Sequence, residues 1–296
     1  MKMTRLWKLV PGGRGLWLFG SLALAACADQ GSVSDPVTQI ESALGSPTGA
    51  QGCVVGTATL RIAQRVTTTG GLAANGLVME SGAVANGGAN INNVAGAVVR
   101  ISGATINGNV SIAGAAPSQA NGELINGAVI NGTVTTGAGR QAVLPTMTVA
   151  AGIIPVTRNS NDPALNLAPG NYGAVNLNGS TTTFSAGTYN LASLTVNAGA
   201  TAVFNTTGGA ININVQGTIA INGGTLTAAD PSRVTFYSNS AASNAVTINT
   251  GITSFPGTVT APNGGLTVGS RITLNGCVGA KNVDIEPDSR VNTTGT

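Results

Sequence analysis

Ten carboxylates and no histidine are what this 296-residue chain has for acid–base work. Without histidine the commonest general base and metal ligand are gone, and Ser-His-Asp and Cys-His sites cannot be built within the chain. Asp29, Asp35 and Glu41 lie near the N-terminus, and Glu80 is isolated. Glu123 follows Asn121-Gly122, Asp162 precedes Pro163 and Asp230 precedes Pro231. Acids beside turns commonly bond the local backbone. Glycoside hydrolysis needs two facing carboxylates at a set separation, and a polysaccharide lyase needs clustered acids for calcium plus a base. Isolated acids supply neither, so the sequence assigns no catalytic residue, no cofactor and no enzymatic role. One cluster remains, Asp284-Ile285-Glu286-Pro287-Asp288. On an extended strand Asp284, Glu286 and Asp288 share a face, which makes them a weak calcium candidate. The preferred reading is a solvated, charged edge closing the last coil, with Pro287 blocking edge-on aggregation.

The three cysteines suggest different chemistry. Lys2 to Arg14 forms a positive leader, and Leu16 to Ala26 an apolar stretch too short to span a bilayer. It ends in Leu24-Ala25-Ala26-Cys27, which resembles a bacterial lipobox. The resemblance implies a signal peptide over 1–26 and acylation of Cys27 as the mature N-terminus. The alternative is an ordinary secretory signal with an incidental cysteine. Two or more acyl chains anchor stably, at about 0.8 kcal/mol per buried methylene. Ala28 stands where inner-membrane lipoproteins carry Asp, so similarity to sorted lipoproteins implies the outer membrane or cell surface. Residues 27–52 are polar and broken by Pro36, Gly45, Pro47 and Gly49, the composition of a flexible tether. Four of the thirteen basic residues lie in the first fourteen positions, leaving nine against ten acids. A basic footprint for nucleic acid is therefore absent.

The elements that would position these residues are legible from composition. Charged residues make up 8% and glycine contributes 43 residues, against typical values of about 25% charged and about 7% glycine. Thr57, Thr59 and Arg61 alternate with Ala58, Leu60 and Ile62, a strand with one buried face. Short apolar runs are separated by Asn-Gly pairs, among them Asn86-Gly87, Asn107-Gly108, Asn126-Gly127 and Asn131-Gly132. Hairpins so short would be marginal. Repeated turns instead predict an all-β solenoid, in which stacked coils share a core and Asn-Gly turns the corners in left-handed conformation; the eight- to twelve-residue strand spacing of the C-terminal part by itself suits a sandwich, a barrel or a solenoid. Stacked asparagines would bond along the stack. An Asn/Gly-rich section over 53–140 and a C-terminal section over 164–296 flank a proline-bearing connector over 141–163. Cys53 and Cys277 lie near opposite ends of the folded region. In a single straight stack they are too far apart to bond. They pair if the chain doubles back, or if the N-terminal strand docks on the C-terminal coils; otherwise they are small buried side chains.

Leu167-Ala168-Pro169-Gly170-Asn171-Tyr172, Ser185-Ala186-Gly187-Thr188-Tyr189-Asn190, Phe255-Pro256-Gly257-Thr258-Val259-Thr260-Ala261-Pro262-Asn263 and Gly276-Cys277-Val278-Gly279-Ala280-Lys281 together resemble an uncharacterised bacterial β-helix domain of secreted and pilus-associated surface proteins. The resemblance covers about 162–292 and implies a right-handed parallel β-helix with no activity. The Ile-Asn-Gly-x-Val copies at Ile106, Ile125 and Ile130 are loosely similar to polymer-forming bactofilin-type solenoids. Tyr172, Phe184, Tyr189, Phe204, Phe236, Tyr237 and Phe255 could form a sugar-stacking surface, but the preferred reading has Phe184, Phe204 and Phe236 filling the core or plugging coil ends. Thr67–Thr69, Thr133–Thr136 and Thr181–Thr183 raise an ice-binding reading, set aside because Thr-x-Thr does not recur from coil to coil. The function expected is a lipid-anchored envelope protein with a structural, adhesive or self-associating role. Its partners would be the membrane and, beyond it, envelope polysaccharide, other surface proteins or its own copies. The alternative is a carbohydrate-binding or carbohydrate-processing β-helix.

Overall fold

The computed structural model describes residues 52–92, 98–114 and 124–293. Single-turn 3-10 helices at Thr206–Gly208 and Pro231–Arg233 are the helical elements among them. A first section holds β1 (Val54–Ile62), β2 (Thr67–Thr68), β3 (Leu72–Met79), β4 (Val84–Ala85), β5 (Ala89–Ile91), β6 (Val99–Ser102), β7 (Thr105–Ile106), β8 (Val110–Ile112), β9 (Leu124–Asn126), β10 (Val129–Ile130) and β11 (Val134–Thr136). A second holds β12 (Val156–Arg158), β13 (Leu165–Leu167), β14 (Gly170–Leu177), β15 (Thr181–Ser185), β16 (Gly187–Val196), β17 (Thr201–Asn205), β18 (Ile211–Val215), β19 (Ile219–Ile221), β20 (Thr225–Ala228), β21 (Val234–Ser238), β22 (Val246–Ile248), β23 (Ser254–Pro256), β24 (Thr258–Val268), β25 (Thr273–Asn275), β26 (Val278–Ile285) and β27 (Arg290–Asn292).

Every ladder among them is parallel. The chain is a parallel β-solenoid: the turn-punctuated sequence predicts the stacking, and the parallel direction is what the C-terminal resemblance implies. The main path of the largest sheet runs β11-β8-β5-β3-β1-β26-β24-β21-β18-β16-β14-β12. A second sheet runs β10-β7-β4-β2-β27-β25-β23, and a third β13-β15-β17-β20. Strand order is not chain order. The first section coils away from β1, the chain returns along the outside, and the second section coils back until β26 meets β1.

The return is traced by its contacts. Arg140 and Asn90 exchange two hydrogen bonds of 2.9 Å. Ala142 and Val149 pack with Val55, Ala73 and Tyr237 in a small cluster outside the main core. The Met147 N–H donates to the Tyr237 hydroxyl at 2.9 Å. The Gly152 N–H reaches the Tyr172 carbonyl at 3.0 Å, and β12 then begins the second section.

Alternation builds the core, since strand side chains point to opposite faces with period two. In β17, Ala202 and Phe204 point inward while Thr201 and Val203 face out. Phe184, Phe204, Phe236 and Phe255 stack across successive coils at centroid distances of 5.2, 5.3 and 4.8 Å. At the corners, asparagine amides form ladders: Asn107 to Asn86 (2.8 Å), Asn131 to Asn107 (2.7 Å), and Asn197 to Asn178 (2.7 Å). The glycines of the Asn-Gly pairs correct the expectation of left-handed corners. Of the pairs described, Gly127 alone has positive φ, at 62°. Gly108 is there for closeness: a Cβ on it would sit 2.7 Å from the Gly88 nitrogen in the next coil. The left-handed corner takes in that Gly127 and otherwise lies outside the Asn-Gly pairs. It is a column in which Arg271, Asp288 and Arg65 adopt the conformation that Gly82, Gly103 and Gly127 continue.

Candidate functional site

The largest concentration of charge and the one covalent cross-link among the described residues coincide where β1 lies against β26. Register runs from Val54 opposite Val278 to Ile62 opposite Ile285, with one irregularity after Gly56. Cys53 and Cys277 form a disulfide with Cα atoms 4.7 Å apart, across a sequence separation of 224. Arg61 reaches Asp284 at 2.6 Å, Glu80 at 3.0 Å and Glu286 at 3.5 Å. Burial works against the Arg61 charge, but hydrogen bonds and charge from Asp284 and then Glu80 outweigh it and hold the guanidinium above its ordinary value. Arg65 grips both oxygens of Asp288, at 2.6 and 2.9 Å. The hydrogen bond from Arg65, more than its charge, pulls the Asp288 carboxyl below its ordinary value. Thr59 to Asn282 (2.9 Å) and Thr69 to Thr293 (3.1 Å) continue the joint.

This places the calcium candidates. Asp284 and Glu286 converge on Arg61, while Asp288 sits apart at the corner on Arg65. No group of three or more potential ligands for a metal ion occurs among the described residues. The reading of this segment as a closing edge is corrected: β26 is an interior strand, flanked by β1 and β24. Its acids meet arginines because the chain's first coil covers them. The other described acids serve their own turns. Asp162 accepts from the Asn159 N–H at 2.6 Å, and Asp230 from the Ser232 N–H at 3.1 Å. A hydrogen bond from the Ser232 hydroxyl is the main reason the Asp230 carboxyl lies below its ordinary value. Each described carboxylate thus answers to an arginine or a turn. Glu123, Cys27, the leader and the tether to residue 51 lie outside the described residues.

The aromatics are inward or self-satisfied. The buried Tyr189 hydroxyl lies 2.8 Å from the Leu167 and Ser185 carbonyls, and burial pushes its pKa up to about 12. Burial likewise raises Tyr237, and Tyr172 donates to the Ala168 carbonyl at 2.7 Å. Among the described aromatics the rings are thus buried or, for Tyr172, half-buried against the core.

One surface feature was not visible in the sequence. On the third sheet Thr181, Thr201 and Thr225 stand in register, as do Thr183, Val203 and Thr227. Two Thr-x-Thr strands therefore sandwich a Thr-x-Val strand. Coil length, not sequence spacing, aligns them. Beside this patch β20 and β23 lie next to each other with no ladder between them. A cleft of about 320 Å³ opens there, lined by Thr225, Thr227, Thr253, Ser254, Pro256 and Asn275 among others, with no ionisable side chain.

Fold and joint define a parallel β-solenoid whose first and last described coils meet in mid-stack. A family model described as a domain of unknown function (DUF7305) matches residues 134–250, from β11 through β22. No curated protein matches the chain. Among solved structures it is similar to an ice binding protein from an Antarctic bacterium, Flavobacteriaceae, at 12% identity and a TM-score of 0.30, over 82% of this chain and 80% of that one. So slight a likeness carries nothing about ligands.

Proposed function

We propose that this is a non-catalytic structural or adhesive protein of the bacterial envelope, held to the outer membrane by lipid on Cys27. The observation that carries the reading is the joint. The proposed tether ends at residue 52, and Cys53 is covalently bonded to Cys277 in the middle of the stack. A pull on the tether is therefore delivered to a cross-linked interior coil and not to an end coil that could peel. A rigid body with paired charges and amide-laddered corners suits a load-bearing role. Radiolabelled palmitate should enter the wild-type chain and fractionate with outer membrane. Cys27→Ala should abolish both label and membrane retention. A labelled Cys27→Ala chain, or an unlabelled wild type, would remove the anchor from the proposal.

A second reading, binding of a neutral glycan, draws on the uncharged cleft beside the threonine columns. Titration calorimetry with envelope polysaccharides separates the two. Saturable binding that Thr225→Ala and Thr227→Ala weaken would favour the glycan reading, and cleavage of a glycan would defeat the structural one.

A further inference from the structure

The two ends of the stack are built differently. At one, β9, β10 and β11 form the last coil. Val134 continues an inward column of Leu72, Ala89 and Val110, whose members are 2%, 4% and 0% exposed, yet Val134 is 46% exposed. No described coil lies over it. Ile130 ends the inward column of Thr68, Ala85 and Ile106 and is half-buried where those are buried. An uncovered edge strand offers unpaired N–H and C=O groups, and proteins normally guard such edges with charge or proline. Residues 124–139 contain neither. Residues 115–123, which join β8 to β9, lie outside the described set, and nothing below uses them.

The opposite end is guarded. Pro155 precedes β12, Arg158 closes it, Pro163 precedes β13 and Pro169 follows. The Arg158 guanidinium donates to the Pro163 carbonyl. Inward Leu167 is buried there, and Val156 and Leu165 are half-buried.

We propose that the chain forms a closed two-fold dimer in which the uncovered β9–β11 coils of two copies pair edge to edge. A two-fold axis across the stack reverses strand direction, so the new ladder is antiparallel. Identical patches meeting this way suffer like-charge repulsion wherever they carry charge, and the described strands β9, β10 and β11 carry none. That makes a second copy the fitting occupant. Because the other end is blocked, the contact is isologous and closes at two, where a head-to-tail contact would propagate a filament. The exposed Ile153 (93%) and Ile154 (68%) stand at the guarded end and would serve the head-to-tail arrangement instead. The dimer deepens the structural role proposed above, but it does not depend on the lipid. Its test uses a full chain without the Cys27 thiol, so failure here leaves the anchor untouched.

The full chain carrying Cys27→Ser, with Cys53–Cys277 oxidised, is to be followed by sedimentation equilibrium across roughly 1–100 µM, where a modest interface associates. We expect monomer and dimer only, with the dimer dominant at the upper limit. Val134→Lys and, separately, Thr135→Lys should each weaken association at least tenfold while leaving the thermal transition of the monomer in place. A Thr135→Cys chain should cross-link to itself with a short bis-maleimide. A Thr135→Cys and Thr157→Cys mixture should give no more hetero-cross-link than Thr157→Cys alone gives with itself. A monomer throughout, assembly beyond two, a dimer indifferent to both lysines, or efficient cross-linking of position 135 to 157 would each overturn the proposal.

Discussion

Single residues in this protein are spent on closure. Arg65, Arg271 and Asp288 sit in left-handed conformation, which costs a residue with a Cβ roughly 1–2 kcal/mol, and Arg65 and Asp288 grip one another across the joint. The sequence shows these as scattered charges, because a partner 223 positions away leaves no local mark. The aromatic core was more legible, since few other sites accept rings in so narrow a stack. The Asp288 carboxyl is held below its ordinary value, first by the hydrogen bond from Arg65. A group with a depressed folded pKa stabilises above its unfolded value, about 4, and the contribution is lost as pH falls through the folded value. Stability from this pair should thus be full at neutral pH and decline below about pH 4. Asp288→Asn, chosen because asparagine tolerates positive φ, should melt lower than wild type at pH 7, with the gap closing by pH 2. A constant gap across that range would show that the carboxylate is not what holds this corner.

At the scale of elements, the turns were readable and their mechanics were not. Asn-Gly marks the corners, but a sequence cannot separate a glycine needed for its angle from one needed for its missing Cβ. The stack separates them. Gly127 has φ of 62° and open space around its Cβ position, whereas Gly108 has ordinary angles and a neighbouring backbone atom at 2.7 Å. A Cβ at Gly108 would point into the backbone of the next coil at Gly87 and Gly88, which leaves no room for a methyl there. Gly127→Ala should cost about 1 kcal/mol from strain alone. Gly108→Ala should cost more, up to ~3 kcal/mol, as a backbone clash that the flanking coils cannot relax. Urea unfolding of the two variants, compared at unchanged m-value, checks the order. Equal losses would mean that coil spacing is softer than the amide ladders suggest. The threonine columns were hidden for a related reason. Thr181, Thr201 and Thr225 are separated by unequal intervals, and only the ladder register equalises them.

For the whole molecule the decisive fact is that the sixteen-stranded sheet passes through the junction of β1 with β26 without a break. Short strands and turn spacing reveal a stack, but they do not say which coil begins it. The order depends on the return segment, whose contacts at Asn90, Asn75 and Tyr237 are side-chain bonds no periodicity predicts. Once the chain doubles back, Cys53 and Cys277 are neighbours, and the bridge closes a loop with a sequence separation of 224. Surface ion pairs contribute little individually, so the disulfide should dominate the strength of the joint, at roughly 2–5 kcal/mol. In a body of this size that corresponds to a fall in melting temperature of roughly 5–20 °C. Cys53→Ala with Cys277→Ala, or wild type under reductant, should show that fall. Amide exchange in β1 and β26 should rise before exchange in β16 and β18, because the first section can then open from the second as a unit. With the bridge intact the two regions should exchange together. If reduced and oxidised protein melted alike and β1 stayed as protected as β16, the backbone ladder alone would hold the sections, and the mid-stack attachment of the tether would lose its mechanical meaning.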